Sequence, residues 1–302
     1  MIDLDVGVLL PTMSANGSPG DVVAAARQAE DAGLDSVWVV DQLVAGTGVP
    51  VLDSLTALAA AAAVTDRVKL GVGVLILPLR PIAWVAKQVA SLQHISGDRL
   101  LLGVGVGGDR HDRSWAAAGV SARERGRLTD AALDVLPALI AGQPTRIGDA
   151  EIQLSPAATV PPIIVGGMSD AAVRRAALHG DGWFPLGGPD NIDEQRARLA
   201  AEVAKTGRPM PELTANAVVA LPDDPELPDR AGILQVLTDP DGMFGFPPDA
   251  AEDTLVHGDP SVVAEHLAAF AAQGVRRVVV TLPAGDWLRQ AELLGKAARY
   301  LG

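Results

Sequence analysis

"TDRVKLGVGVLILPLRPIAWVAKQVASLQHISGDRLLLGVGVGG", residues 65–108, decides the fold. Val68–Leu75 and Arg99–Val104 are short apolar runs of strand character, and Ile82–Ile95 between them repeats apolar residues at helical spacing. The stretch therefore reads strand, helix, parallel strand. The same unit recurs on both sides. Further strand-like runs fall at Leu4–Leu10, Ser36–Val40, Pro162–Gly166, Gly182–Leu186, Thr214–Ala220 and Arg276–Leu282. Helical patterns alternate with them near Asp21–Ala32, Asp53–Thr65, Ala122–Ile140, Asp170–His179, Ile192–Thr206, Ser261–Gln273 and Asp286–Tyr300. Eight strand-then-helix pairs without a break in composition predict an α/β fold, a (β/α)8 TIM barrel formed by residues 1–302 as one domain. Two segments depart from the pattern. "PTRIGDAEIQLSP" (144–156) predicts a small β-hairpin turning at Gly148-Asp149, and the Pro- and acid-rich residues 222–260 predict a loop and helix insertion after the seventh strand, read as a lid.

The 302 residues are 48% hydrophobic but only 3% aromatic, so the core is built from Val, Leu, Ile and much Ala, as suits helices packed closely on a sheet. A chain without cysteine has no disulfide, thiolate metal site or cysteine nucleophile. His94, His179, His257 and His266 show no metal-ligand spacing, and no metal is expected. The formal net charge of −13 and the lack of a basic cluster interleaved with aromatics argue against nucleic acid or an anionic membrane surface as partner. The longest apolar run, Leu55–Val64, is shorter than the roughly 20 residues a membrane crossing needs. No charged segment precedes an apolar one at the start, and the expectation is a cytoplasmic protein.

In such a barrel the working face is the C-terminal end of the strands. "VVDQLVAG" follows strand two, placing Asp41 and Gln42 there, and a carboxylate at a strand end points to ligand contact or to capping of a neighbouring element. After strand four, "GVGVGGDRHD" (103–112) offers glycines that either admit close barrel packing or make a floor against a flat ring, with His111 beyond them as a titratable loop group. The strand-five turn "VGGMSDAAVRRAA" (165–177) puts Gly166, Gly167 and Ser169 before a helix whose free N–H groups suit an anion such as phosphate; a tight turn alone would also account for the glycine pair. Trp183, Trp84, Phe244 and Phe246 are candidate walls of an apolar mouth.

Taken together, "AEDAGLDSVWVVDQL" (29–43), residues 65–108 quoted above, "PPIIVGGMSDAAVRRAALHGDGWFP" (161–185) and "HGDPSVVAEHLAAFAAQGVRRVVV" (257–280) resemble the bacterial luciferase-like flavin-dependent oxidoreductases, in the right order over most of the chain. The resemblance implies an enzyme with a barrel that binds reduced FMN or the deazaflavin coenzyme F420, slightly favouring the latter. It implies hydride transfer or oxygen activation on a small organic substrate. It further implies a cis peptide at Gly73-Val74, with Asp41, Gly73, Val74, Ile76, Val106 and Gly107 against the ring and ribityl chain. Gly166, Gly167 and Ser169 would hold the phosphate. A homodimer is the assembly to test. Many deazaflavin-using members carry Asp-His where this chain has Asp41-Gln42; Gln42 can orient a group but cannot supply a proton near neutral pH, which leaves His111 or no acid at all. Gln42 and His111 are thus the catalytic candidates. Two other readings stay open: a non-catalytic flavin-binding protein on the same barrel, and a phosphate-handling barrel enzyme, the latter lacking a strand-end glutamate.

Overall fold

The computed structural model describes residues 2–13, 20–45, 49–108, 112–185 and 191–302. Eight parallel strands close on themselves: β1 (Asp5–Leu9), β2 (Ser36–Val39), β3 (Lys69–Ile76), β4 (Leu100–Gly105), then β7 (Ile163–Gly166), β8 (Gly182–Phe184), β9 (Glu212–Ala220) and β11 (Val275–Thr281), which returns to β1. Each strand the alternation predicts is present. The antiparallel pair β5 (Thr145–Ile147) and β6 (Ala150–Ile152) is the expected hairpin outside the barrel. Leu186, the predicted end of the sixth barrel strand, lies outside the described residues.

The helices cover the barrel because each presents an apolar stripe to it. They are α1 (Val22–Asp31), α2 (Ser54–Ala62), α3 (Ile82–Ser96), α4 (Asp112–Ala118), α5 (Arg125–Ile140), α6 (Asp170–His179), α7 (Ile192–Val203), α8 (Arg230–Thr238), α9 (Pro248–Thr254), α10 (Pro260–Ala272) and α11 (Trp287–Arg299). Asp21, Asp53, Ser169, Asp229, Asp259 and Asp286 accept N–H groups of the first turns that follow them, which sets where those helices begin. Val6, Val8, Val37, Val39, Leu70 and Val72 face the helices, and the main core lies in that layer. The opposite faces of the strands fill the barrel with far fewer side chains. Trp38, fully buried, occupies much of it: a Cβ on Gly71 would come within 2.2 Å of the indole, and Ser36 accepts the indole N–H at 2.9 Å. Phe184 meets Trp38 edge-on, ring centres 5.9 Å apart.

The insertion after β9 is more ordered than a loop. It carries α8, α9 and a three-residue strand β10 (Leu255–His257) that pairs in parallel with the upper half of β9, beyond the reach of short β8. Leu227, Leu234, Phe244 and Phe246 pack there against Val218, Ala220, Ile233 and Leu237. Asp224 ties the segment down, accepting from the Gln290 amide and from the Asp286 N–H at the start of α11.

At the opposite end of the barrel the Glu30 carboxylate accepts three successive N–H groups, of Asp66, Arg67 and Val68, before β3. Partial burial pushes its pKa up, but these three bonds and the Arg67 charge outweigh that and hold it below the ordinary glutamate value. A carboxyl whose folded pKa is depressed stabilises the protein above its unfolded pKa and loses that contribution as pH falls through the folded one. Glu30→Gln is therefore expected to cost about 1 kcal/mol at pH 7, measured by urea denaturation. The difference from the parent should shrink to nothing on acidification below the normal glutamate range; a gap that persists there would refute the linkage.

Candidate active site at the barrel mouth

The β3–β4 ladder slips between Val72, paired with Leu102, and Leu75, paired with Val104, so β3 carries one extra residue. The Gly73-Val74 peptide within this bulge is cis, as the resemblance implies. The bulge explains the neighbouring glycines. A Cβ on Gly105 would lie 2.6 Å from one Val74 methyl and a Cβ on Gly166 2.8 Å from the other, while one on Gly103 would strike the Val72 carbonyl oxygen at 1.9 Å. A Cβ on Gly73 would lie 3.2 Å from the Phe184 ring and 3.4 Å from the Trp38 indole. Val74 is thus a wedge seated on two glycines. Of the glycines in residues 103–108, Gly103 and Gly105 lie in β4 and serve packing, leaving Gly107, at φ +73°, and exposed Gly108 as the ones at the rim.

At the end of β2, the Asp41 side chain is almost wholly buried, and four protein donors fill its acceptor positions. Oδ1 accepts from the Ser54 hydroxyl (2.8 Å) and Arg80 Nη2 (2.7 Å); Oδ2 accepts from the Ile76 N–H (2.8 Å) and Arg80 Nη1 (2.7 Å). Arg80 also reaches Asp53 at 3.2 Å. Burial pushes the Arg80 pKa down, but the two carboxylates more than reverse it, so the guanidinium stays charged. Asp53 is held below the ordinary aspartate value against its own burial, by Thr56 N–H and hydroxyl and by Arg80. Gln42 is half-buried next to this cluster.

On the far side of the mouth, β7 gives way to α6 through Gly166, Gly167 (φ +109°), Met168 and Ser169. Only glycine takes that φ without strain. Trp183 does not stack at the mouth: it is fully buried in the strand–helix layer, and its indole N–H donates to the Gly167 carbonyl at 2.9 Å, bracing the turn. Trp84, on the first turn of α3, is 66% exposed. Ser169 is exposed and caps α6 through the Ala172 N–H. Beside it opens a cleft of about 480 Å³ lined by Val106, Ser169, Ala171, Arg123, Arg125 and Arg175. Arg175 is anchored by Asp130 and by the Gly126 carbonyl; Arg123 precedes α5 and Arg125 begins it.

The structure packs Gly105 and Gly166 against the Gly73-Val74 bulge of β3, and brings Asp41 to Ile76 beside it. Val106 and Ser169 share the arginine-lined cleft. Gly107 follows Val106, and Gly167 precedes the α6 cap. His111 lies outside the described residues. Arg123 and Arg125 were not among the expected site residues, since no spacing links them to the strand-five turn some 45 residues on; Arg175 lies within α6, which follows that turn. Three guanidiniums and a helix start, on a chain of net charge −13, form a donor set for a phosphate. With a glycine rim beside them, the residues present fit a planar group with an anionic tail.

A (β/α)8 barrel with a bulged third strand and a cationic rim at its strand ends defines the class. The chain belongs to the luciferase-like monooxygenase family, whose profile matches residues 4–231. It is 32% identical over 222 residues to an F420-dependent glucose-6-phosphate dehydrogenase of Beutenbergia cavernae, covering 69% of this chain and 66% of that one. It spans 58% of the length of an uncharacterised Mycobacterium tuberculosis protein that it matches at 36% identity over 171 residues, 54% of this chain. Its fold is that of an F420-dependent secondary alcohol dehydrogenase solved with an F420-acetone adduct (TM-score 0.82, 15% identity, 99% of each chain). It is also that of the oxygenating constituent of the Pseudomonas putida 3,6-diketocamphane monooxygenase, solved with FMN (TM-score 0.75, 16% identity, 98% of each chain). Among the described residues no helix is long and apolar enough to cross a membrane.

Proposed function

We propose that the chain is an oxidoreductase that holds a reduced flavin-type cofactor, coenzyme F420 in preference to FMN, and acts with it on a small organic substrate. The cleft of three arginines beside Val106 and Ser169 carries the reading, because it supplies a tethering point for a phosphate at the strand ends where barrel enzymes do their chemistry. The F420-dependent relative and the F420 complex of the same fold support the choice of deazaflavin. When bound, the cofactor would supply the hydride or, as FMN, the means of activating oxygen.

The chain's own residues would do the rest. Arg123, Arg125 and Arg175, with the α6 N-terminus, hold the phosphate; the Val74 wedge supports one face of the ring; Gly107 lets the backbone pass close to it. Gln42, half-buried at the end of β2, orients the ring or the substrate by hydrogen bonding. The apolar aromatics Trp38 and Phe184 close the barrel beneath and exclude water. The catalytic acid, if the reaction needs one, would come from the His111 loop.

A phosphate tether predicts that FMN binds at least about 100-fold more tightly than riboflavin, since each charge-assisted hydrogen bond contributes ~1.5 kcal/mol or more. Coenzyme F420 should show the same preference over its phosphate-free deazaflavin core. Fluorescence titration of the four compounds checks this; equal affinities with and without phosphate would overturn the assignment of the cleft.

A further inference from the structure

Asp41 is the residue that the resemblance would set against the ring, yet its carboxylate is spent on the protein. Both oxygens are doubly engaged, and the side chain is 1% exposed. Two of its partners come from the same short piece of chain. Ile76, whose N–H it accepts, is the last residue of β3 just past the bulge; Arg80 closes the 3-10 turn Leu77–Leu79 that follows. The third partner, Ser54, opens α2. One carboxylate at the end of β2 therefore staples the exit of β3 at two points, four residues apart, and fixes it against the start of α2. The extra residue in β3 lies immediately upstream of the first staple, and the ladder to β4 resumes at Leu75, directly before it.

We propose that Asp41 and Arg80 act as a pair of positioning residues. Together they hold the Gly73–Ile76 bulge, and with it Val74, at the height where the ring is to rest, and Asp41 does so without touching the ring. The proposal rests on the functional reading above. A buried carboxylate with four donors keeps its geometry only while all are present, and a bidentate guanidinium is the donor that fixes its plane. Asp53, the other carboxylate facing Arg80, is partly exposed and already caps α2 through Thr56, so it cannot replace Asp41.

The test uses the full chain and its Asp41→Asn, Arg80→Met and doubly substituted variants. Cofactor affinity is read by fluorescence titration with FMN and with coenzyme F420, ring geometry by the induced circular dichroism of the bound chromophore, and the bulge by hydrogen exchange of the Ile76 amide. The expected result is a tenfold or larger loss of affinity in each single variant, an altered dichroism spectrum, no further loss in the double variant, and faster exchange at Ile76. Arg80→Lys, which keeps the charge but not the fork, should recover only part of the affinity. If Asp41 contacts the ring itself, Asp41→Asn loses affinity while Arg80→Met keeps it, and the proposal is overturned. Unchanged Ile76 exchange in Asp41→Asn overturns it as well, whether or not cofactor binds. A parent chain that takes up neither chromophore instead contradicts the functional reading.

Discussion

Replacing Arg99 by methionine is expected to destabilise the protein by about 3–5 kcal/mol, against a total stability of order 10 kcal/mol. Arg99 is 8% exposed and lies under the barrel, immediately before β4. Its five N–H groups are all used: Nε donates to the Ser96 carbonyl, Nη1 to Val68 O and the Thr65 hydroxyl, and Nη2 to Ala62 O and Thr65 O. These acceptors are the end carbonyls of α2 and α3 and the approach to β3, groups that no helix can satisfy from within. Burial pushes the guanidinium pKa down, with Glu30 and Asp66 opposing at longer range, but an arginine stays charged throughout the accessible pH range. Methionine fills similar volume and leaves four buried carbonyls without donors, each costing about 1–3 kcal/mol before relaxation and water entry reduce the sum. The lost stability should lower Tm by about 5–8 °C in a chain of this length. Arg99→Lys should fall between, since an ammonium has three donors for five places. A methionine variant within 1 kcal/mol of the parent would show that water replaces the guanidinium freely.

The double substitution Arg123→Ala, Arg125→Ala is expected to weaken uptake of FMN and coenzyme F420 by about 100-fold, the loss of two charge-assisted contacts of ~1.5 kcal/mol each. Riboflavin, with no phosphate, should bind the variant and the parent alike. Arg123 is exposed, so its share should fall as salt is raised, and the gap between variant and parent should narrow from low salt to high. Arg175 is a poorer choice for this test because it also ties α6 to α5 through Asp130 and Gly126. Parallel loss of riboflavin affinity would mean that the arginines shape the mouth and do not tether a phosphate.

The barrel was legible because its signals are local. Strand alternation and helical spacing repeat eight times, and the predicted helix starts at Asp21, Asp53 and Asp286 coincide with residues that cap α1, α2 and α11 in the structure. The helix α4 and strand β10 were not, the one being seven residues long and the other three, too short for a period to show. Side-chain parity on β8 was also hidden: with only Gly182–Phe184 in the strand, nothing local tells whether Trp183 or Phe184 turns inward, and it is Phe184. Trp38 could have been found. Gly71 is opposite it in register and Gly7 opposite Ser36, so a large ring on β2 faces small residues on both neighbouring strands. The site was legible in part. The glycines after strand four invited either a packing or a ligand reading, and only the position of Val74 divides them. Asp41 was singled out by its place at a strand end, but its partner Arg80 lies 39 residues on, where no sequence spacing betrays an ion pair.

On this reading the barrel mouth receives a flavin-type ring tethered by its phosphate at the Arg123, Arg125, Ser169 rim. Equilibrium titration of the purified chain with FMN and with coenzyme F420, oxidised and reduced, followed by chromophore fluorescence, tests it most directly. Saturable uptake of at least one of them at one equivalent per chain, competed by inorganic phosphate, is expected; a chain that leaves both chromophores free in solution at millimolar protein has no such mouth.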